Sequence, residues 1–397
     1  MGQWGAALDN KLKVSFIYIA STISIFGDLL TSLGLQIFLY QSYGSSSVAG
    51  SFIVSILPQL WLVKFLTHRC KQYSLFRSLI TLRILGACCV ALLVWFHDIS
   101  EIYVFLFFSS LIMGISLNIQ RSLVSYLVPK NHLKTVHRRL TSLRAIAIML
   151  APACGGFLLQ KTNYQVLFSL DAVTFLISAV LYMFLQNKSG AKEKYSNSAS
   201  ETQDNHLKQI LHPVIFIWGL FLLLGAFHNG TQVPVLKLEG LDPYQIGLIL
   251  MFWGLGGTIA LIFPSALAKY IYLLPAVLIF VLTLTFYLFG LSFVGSGIAM
   301  LICGFLYSFI IGELRAKISS LAEGKEATLS IWSSVSQISA WIQLFGFIWM
   351  AVMQRWYKPT FAGWSVLISG TILALSIIFD MNRKNITSKP SQPMTES

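Results

Sequence analysis

Long apolar runs recur twelve times along this chain, each about the length a helix needs to cross a bilayer. They lie at 14–40, 46–66, 75–96, 101–127, 139–160 and 164–186, then at 213–236, 244–268, 271–291, 293–315, 327–353 and 359–380. Few folds accept such a sequence. Charged residues make up 11% of the 397 and apolar ones 56%, whereas a globule in water carries roughly a quarter charged residues. Most of this surface must face lipid. The reading is an all-α integral membrane protein with twelve transmembrane helices in two six-helix bundles.

The break between the sixes is compositional. Residues 187–212 are rich in Ser, Asn, Lys and Glu and cannot bury a core. The expected organisation is therefore a first bundle over 1–186, a linker over 187–212, a second bundle over 213–380 and a tail over 381–397. Net charge is +13. In a soluble protein that excess would suggest nucleic acid; here it orients helices, and no nucleic-acid partner is expected. With both termini cytoplasmic, the inner side collects Lys11, Lys13, Arg69, Lys71, Arg77, Lys130, Lys134, Arg138 and Arg139 from the first half alone. The opposite loops hold only Lys161, Lys237, Arg355 and Lys358. That asymmetry follows the positive-inside rule and places the chain in the inner (plasma) membrane.

The five cysteines form no CxxC and no metal-ligand spacing. P-loop, HExxH and GxSxG motifs are absent from the sequence, so neither ATP drive nor an enzyme is expected. A weak internal repeat supports the six-plus-six layout: a shift of 194 residues lays Arg121 on Arg315. Paired halves with a site between them are the pattern of a transporter built from repeats.

Several segments then resemble one family. Ala151-Pro152-Ala153-Cys154-Gly155-Gly156 is similar to the Gly-Pro-x-x-Gly-Gly antiporter motif of the major facilitator superfamily, with Ala for the first Gly. Leu170 to Ala179 resembles the Asp-Ala-x-x-Phe-Leu-Ile-Ser-Ala signature of its drug-exporter branch, which includes macrolide and enterobactin (siderophore) efflux proteins. Gly27-Asp28, Leu127-Val128-Pro129 and Phe252-Trp253-Gly254-Leu255-Gly256-Gly257 resemble further pieces of that pattern. The loop after the second span departs from it. Thr67-His68-Arg69-Cys70-Lys71-Gln72 keeps only the first Arg of the usual gating motif and lacks its acidic residue.

Charge at membrane depth costs roughly 2.5–3.5 kcal/mol on insertion scales, so each such residue calls for an explanation. Asp28, near the middle of the first span, is a candidate for proton coupling; the bland alternative is a cap or hydrogen bond to a neighbouring helix. Arg121 and Glu313 are the other coupling candidates. Arg83 and Arg121 both qualify as the counter-ion of Asp28, and Arg121 is favoured because the resemblance puts helices 1 and 4 on the cavity. His228, Asn229, Asn118 and Arg83 are candidates to line a substrate cavity, with His228 and Asn229 facing the first helix. Asp171 reads as a structural polar residue bonded to a neighbouring helix. Pro152, Gly155 and Gly156 read as a hinge, where the family resemblance implies a seal against leak.

Together these residues point to a secondary active transporter of an amphipathic small molecule, drug-like or siderophore-like. Alternating access with proton-coupled efflux is the expectation. The expected partners are the small-molecule substrate and the lipid bilayer, with a monomeric chain, no metal and no cofactor beyond the proton gradient. An importer on the same scaffold, or a receptor or assembly factor that does not transport, remains the alternative.

Overall fold

The computed structural model describes residues 2–70, 73–96, 98–127, 133–188, 213–262, 272–320 and 325–387, and these are almost wholly helical. The first half comprises α1 (Gly2–Tyr43), α2 (Ser45–Leu60), α3 (Leu62–Cys70), α4 (Leu75–Leu92), α5 (Ile99–Leu127), α6 (Leu133–Lys161) and α7 (Tyr164–Lys188). The second comprises α8 (Pro213–Leu238), α9 (Pro243–Ile262), α10 (Leu273–Leu288), α11 (Phe293–Ser319), α12 (Lys325–Trp356) and α13 (Ala362–Thr387). Hydrocarbon offers backbone N–H and C=O groups no partner, so each crossing must satisfy its own as a helix.

Among the described residues thirteen α-helices fit twelve crossings, with α2 and α3 as one broken span and the short α10 counted as a crossing. The α2–α3 pair bends by 49° at Trp61. Pro58, inside α2, removes the donor of one backbone bond, and the chain leaves the helix three residues later at Trp61, whose φ is −138°. Ten further helices are long and apolar enough to cross alone, and α10, at 16 residues, is the short one. Most of the proposed linker and of the C-terminal tail lies outside the described residues, although α7 runs on to Lys188 and α13 to Thr387.

Packing repeats between the halves. Two extensive seams join them, one between α6 and α9 and one between α2 and α12. Each seam sets the fifth crossing of one half against the second crossing of the other. The same pairing made twice, with the roles exchanged, is the signature of a pseudo-twofold axis.

The α6/α9 seam is backbone on backbone. A Cβ on Gly156 would lie 3.0 Å from the Gly247 Cα, and one on Gly247 would lie 3.0 Å from the Gly156 Cα. Seven residues on, two turns along the same face of α9, a Cβ on Gly254 would meet the Met149 Cα at 2.5 Å. Gly256 turns to α11 instead, against the backbone at Leu301 and Phe305. Between helices in lipid, van der Waals packing replaces the hydrophobic drive, and small residues allow the approach.

The α2/α12 seam is aromatic. Phe52 stacks on Phe347 at 4.9 Å, and Trp61 meets Trp341 edge-on at 5.5 Å. Near the end remote from both termini, the Ser45 hydroxyl donates to the Gln354 carbonyl at 3.4 Å. Gln354 Nε2 in turn donates to the Gly230 carbonyl at 3.0 Å. Leu33, Ile37 and Ala49 of the first half join the apolar core of the second there, closing that mouth.

These contacts predict a contrast between two glycines. Gly247→Val should lower the thermal midpoint of the purified protein by the equivalent of about 1–3 kcal/mol, the usual cost of overpacking. Gly225→Ala, whose Cβ would meet nothing within 4 Å, should leave the midpoint unchanged or raise it. Equal responses from the two would show that α6 and α9 do not touch as described.

Candidate functional site

α1 carries a polar stripe on an otherwise apolar helix. Ser21, Ser24, Asp28, Thr31 and Ser32 recur at three- and four-residue steps and so share a face, with Gln36 one turn beyond Ser32. That face looks into its own bundle. There it meets a cavity of about 130 Å³ between α1, α2, α5 and α7. α1 contributes Asp28, Thr31, Ser32 and Gln36; α2 contributes Ser51 and Ser55; α5 contributes Ser109 and α7 Asp171. Phe52, Leu35 and Leu106 complete the wall.

Two carboxylates thus share one cavity. Asp28 is half-buried and its Oδ2 has no hydrogen-bond partner among the described residues. Asp171 is 1% exposed. The Thr174 hydroxyl, one turn on in α7, lies 3.1 Å from Asp171 Oδ1 and 2.8 Å from the Asp171 carbonyl. Both side chains press against Gly27, where a Cβ would collide with Asp171 Oδ1 and Thr174 Oγ1. The Gly27-Asp28 pair therefore has a geometric reason: the glycine admits α7, and the next residue presents its acid to the cavity beside it.

Arg83, on α4, supplies the opposing charge. It is 2% exposed; its Nη1 donates to the Ser24 hydroxyl, and its guanidinium lies over the Phe175 ring at 5.4 Å. Its charge therefore lies against the face of α1 that carries Asp28, one turn beyond Ser24. The side chain of Arg121, the counter-ion favoured from the sequence, lies outside the described residues.

The remaining candidates are dispersed. His228 is 2% exposed and packs inside the second bundle, stacked on Trp253 at 4.7 Å and edge-on to Tyr287 at 5.9 Å. Its ring contacts are thus with α9 and α10. Asn229, its neighbour, is exposed. Asn118 of α5 lies 3.5 Å from the Thr67 hydroxyl of α3, across the broken span. Glu313 and Arg315 are both exposed on α11. Pro152 and the two glycines after it meet three neighbours. The Pro152 carbonyl abuts Gly247; Gly155 faces Leu30 and Leu33 of α1; Gly156 faces α9. Among the described residues no three of His, Cys, Asp and Glu converge as metal ligands.

Thr31, Gln36, Ser51, Ser55 and Ser109 were not singled out from the sequence. The signal available was the helical spacing of polar residues around Asp28 in α1. For α2 and α5 no local signal existed, because a lone serine in an apolar helix usually bonds back to its own carbonyls.

The Major Facilitator Superfamily model matches residues 17–343. Among solved structures, a bacterial homologue of the iron transporter ferroportin in an inward-facing state is 16% identical, with a TM-score of 0.71 over 92% of this chain and 98% of that one. The nucleoside transporter NupG is 10% identical with a TM-score of 0.71 over the same shares of the two chains. A POT family transporter in complex with a thioalcohol-conjugated peptide is 11% identical, at 0.71 over 95% of this chain and 96% of that one. A curated relative, an undecaprenyl-diphosphatase from Desulfitobacterium hafniense, is 28% identical over 155 residues. That match spans 39% of this chain and 46% of the relative, less than half the length of either. A chain of two matched helical bundles, joined along two seams and fitting the family over most of its length, belongs to the major facilitator superfamily.

Proposed function

We propose that the chain is a proton-coupled secondary transporter that exports an amphipathic small molecule, drug-like or siderophore-like, by alternating access. One observation carries the reading: an acid held near the middle of the first crossing, on the helix face that a buried guanidinium bonds at Ser24, in a protein whose halves meet along two matched seams. Rocking about those seams alternately exposes a central site. A carboxylate that moves between a cation's neighbourhood and an apolar one loads and releases a proton as it does so. Asp28 takes that role, with Arg83 as the described counter-charge.

The closed mouth lies at the end remote from the termini. With both termini cytoplasmic in the inner membrane, this arrangement is inward-facing and the chain works as a monomer. The cavity beside Asp28 is too small for a drug-sized ligand, whose sites run to roughly 300–1,000 Å³. The substrate is therefore assigned to the space between the halves. Export and the siderophore or drug class rest on the resemblance of residues 151–156 and 170–179 to efflux proteins. A lipid-like substrate is the second reading, favoured by the name of the curated relative.

Inside-out vesicles test the reading. At least one compound from a panel of siderophores and lipophilic drugs should show flux that needs a pH gradient. Asp28→Asn should remove the gradient dependence while expression persists. No gradient-dependent flux of any compound would overturn it.

The role of Arg83 has its own measurement. Asp28→Asn and Arg83→Gln should each shift the thermal midpoint, and the double variant should depart from their sum by about 0.5–3 kcal/mol, as interacting neighbours do. Additive effects would remove Arg83 as counter-charge.

A further inference from the structure

The cavity beside Asp28 has a size, a donor set and a charge balance that select a ligand. Its volume of about 130 Å³ is several times the roughly 30 Å³ that one water occupies in the liquid, so it holds an ion with a few waters. Its polar wall is oxygen-rich, from the Asp28 and Asp171 carboxylates to the Thr31 hydroxyl and the Gln36 amide oxygen. Gln36 is 6% exposed and its Oε1 has no hydrogen-bond partner among the described residues. Its Nε2 reaches back one turn to the Ser32 hydroxyl at 3.1 Å, in keeping with the lean of helical side chains toward the N-terminus. The amide oxygen is left as a buried acceptor at the cavity. Buried acceptors without donors are costly, and a cation relieves them.

Charge then fixes the valence. With both carboxylates ionised the cavity wall carries two negative charges, and Arg83, buried on α4 and bonded to Ser24 on the same face of α1, supplies one positive charge that stays protonated. Arg144 is exposed on α6 and is not part of the cavity wall. One monovalent ion restores neutrality, whereas a divalent ion would overshoot. Hard oxygen ligands suit an alkali-metal ion and not a softer transition metal.

We infer that this cavity binds one sodium ion, held by Asp171, Asp28 and Thr31, with Gln36 reached directly or through a water. The site gives the transporter a second ion beside the proton and rests on the proposed coupling role of Asp28 for its purpose. Its existence is measured without transport.

The experiment is equilibrium binding of radioactive sodium to the purified full-length protein in detergent, with choline holding ionic strength constant. Saturable binding near one ion per chain is expected, and choline should not compete. Asp171→Asn should weaken binding at least tenfold. Thr31→Val, which removes the hydroxyl at nearly constant shape, should weaken it several-fold and serves alone if the aspartate variant fails to fold. No saturable binding, equal competition by choline, or unchanged affinity in Thr31→Val would overturn the inference. Absent sodium binding alongside proton-driven flux removes the sodium site and leaves the transporter reading standing. Sodium binding with no gradient-driven flux of any compound does the reverse.

Discussion

Backbone resting on backbone is the contact on which this molecule depends. Lipid tails are as apolar as leucine, so helices gain nothing from merely hiding hydrophobic side chains from them. What remains is close packing, and at Gly156 against Gly247 a Cβ on either residue would lie 3.0 Å from the other's Cα. The opposite seam solves the same problem differently, with the Phe52 and Phe347 rings stacked at an interplanar angle of 11°. Around that stack Ile56 and Leu60 of α2 pack with Leu344 of α12. Contacts on two opposite flanks define an axis about which the halves can tilt, and they leave the region between α1 and α8 free of so tight a seam.

The polar interior of the first half is held by the same economy of volume. Asp171 and Thr174 reach α1 only because position 27 has no side chain. Gly86 does the equivalent on α4, where a Cβ would meet the Phe175 ring at 2.9 Å. Phe175 is also the ring beneath the Arg83 guanidinium. Two glycines thus bring α7 against α1 and α4, and an acid and a cation that would each be costly alone end up within electrostatic reach. Charge placement here is a consequence of packing.

Much of this was legible in the sequence. Length and continuity of the apolar runs gave twelve crossings, and the polar stretch after residue 186 gave the two halves. Gly254 and Gly256 of α9, quoted from the sequence only for a resemblance, pack against α6 and α11. The bend at Trp61 was missed, because Pro58 sits within an apolar run that hydropathy treats as continuous. The cavity was missed for a different reason. Its wall draws on α1, α2, α5 and α7, crossings far apart in sequence, and Asp171 is the single residue that α7 contributes. His228 illustrates the converse. A histidine in mid-span invites a binding role, yet its surroundings, Trp253 and Tyr287, come from crossings that sequence distance does not place beside it.

The halves share a fold but not a chemistry. α1 turns Ser24, Asp28 and Thr31 inward; α8, the first crossing of the second half, buries Trp218, Phe221, Leu224 and Phe227. The first half thus turns a carboxylate toward its cavity, whereas α8 packs its buried His228 among aromatic rings. Between them lies a short chain of contacts. Gly155 of α6 rests on Leu30 and Leu33 of α1, within two turns of Asp28, and the next residue, Gly156, rests on α9. Leu30 and Leu33 of α1 thus touch the same short stretch of α6 that touches the other half. Adjacent glycines facing different helices set the antiporter-like motif between the charged crossing and the seam.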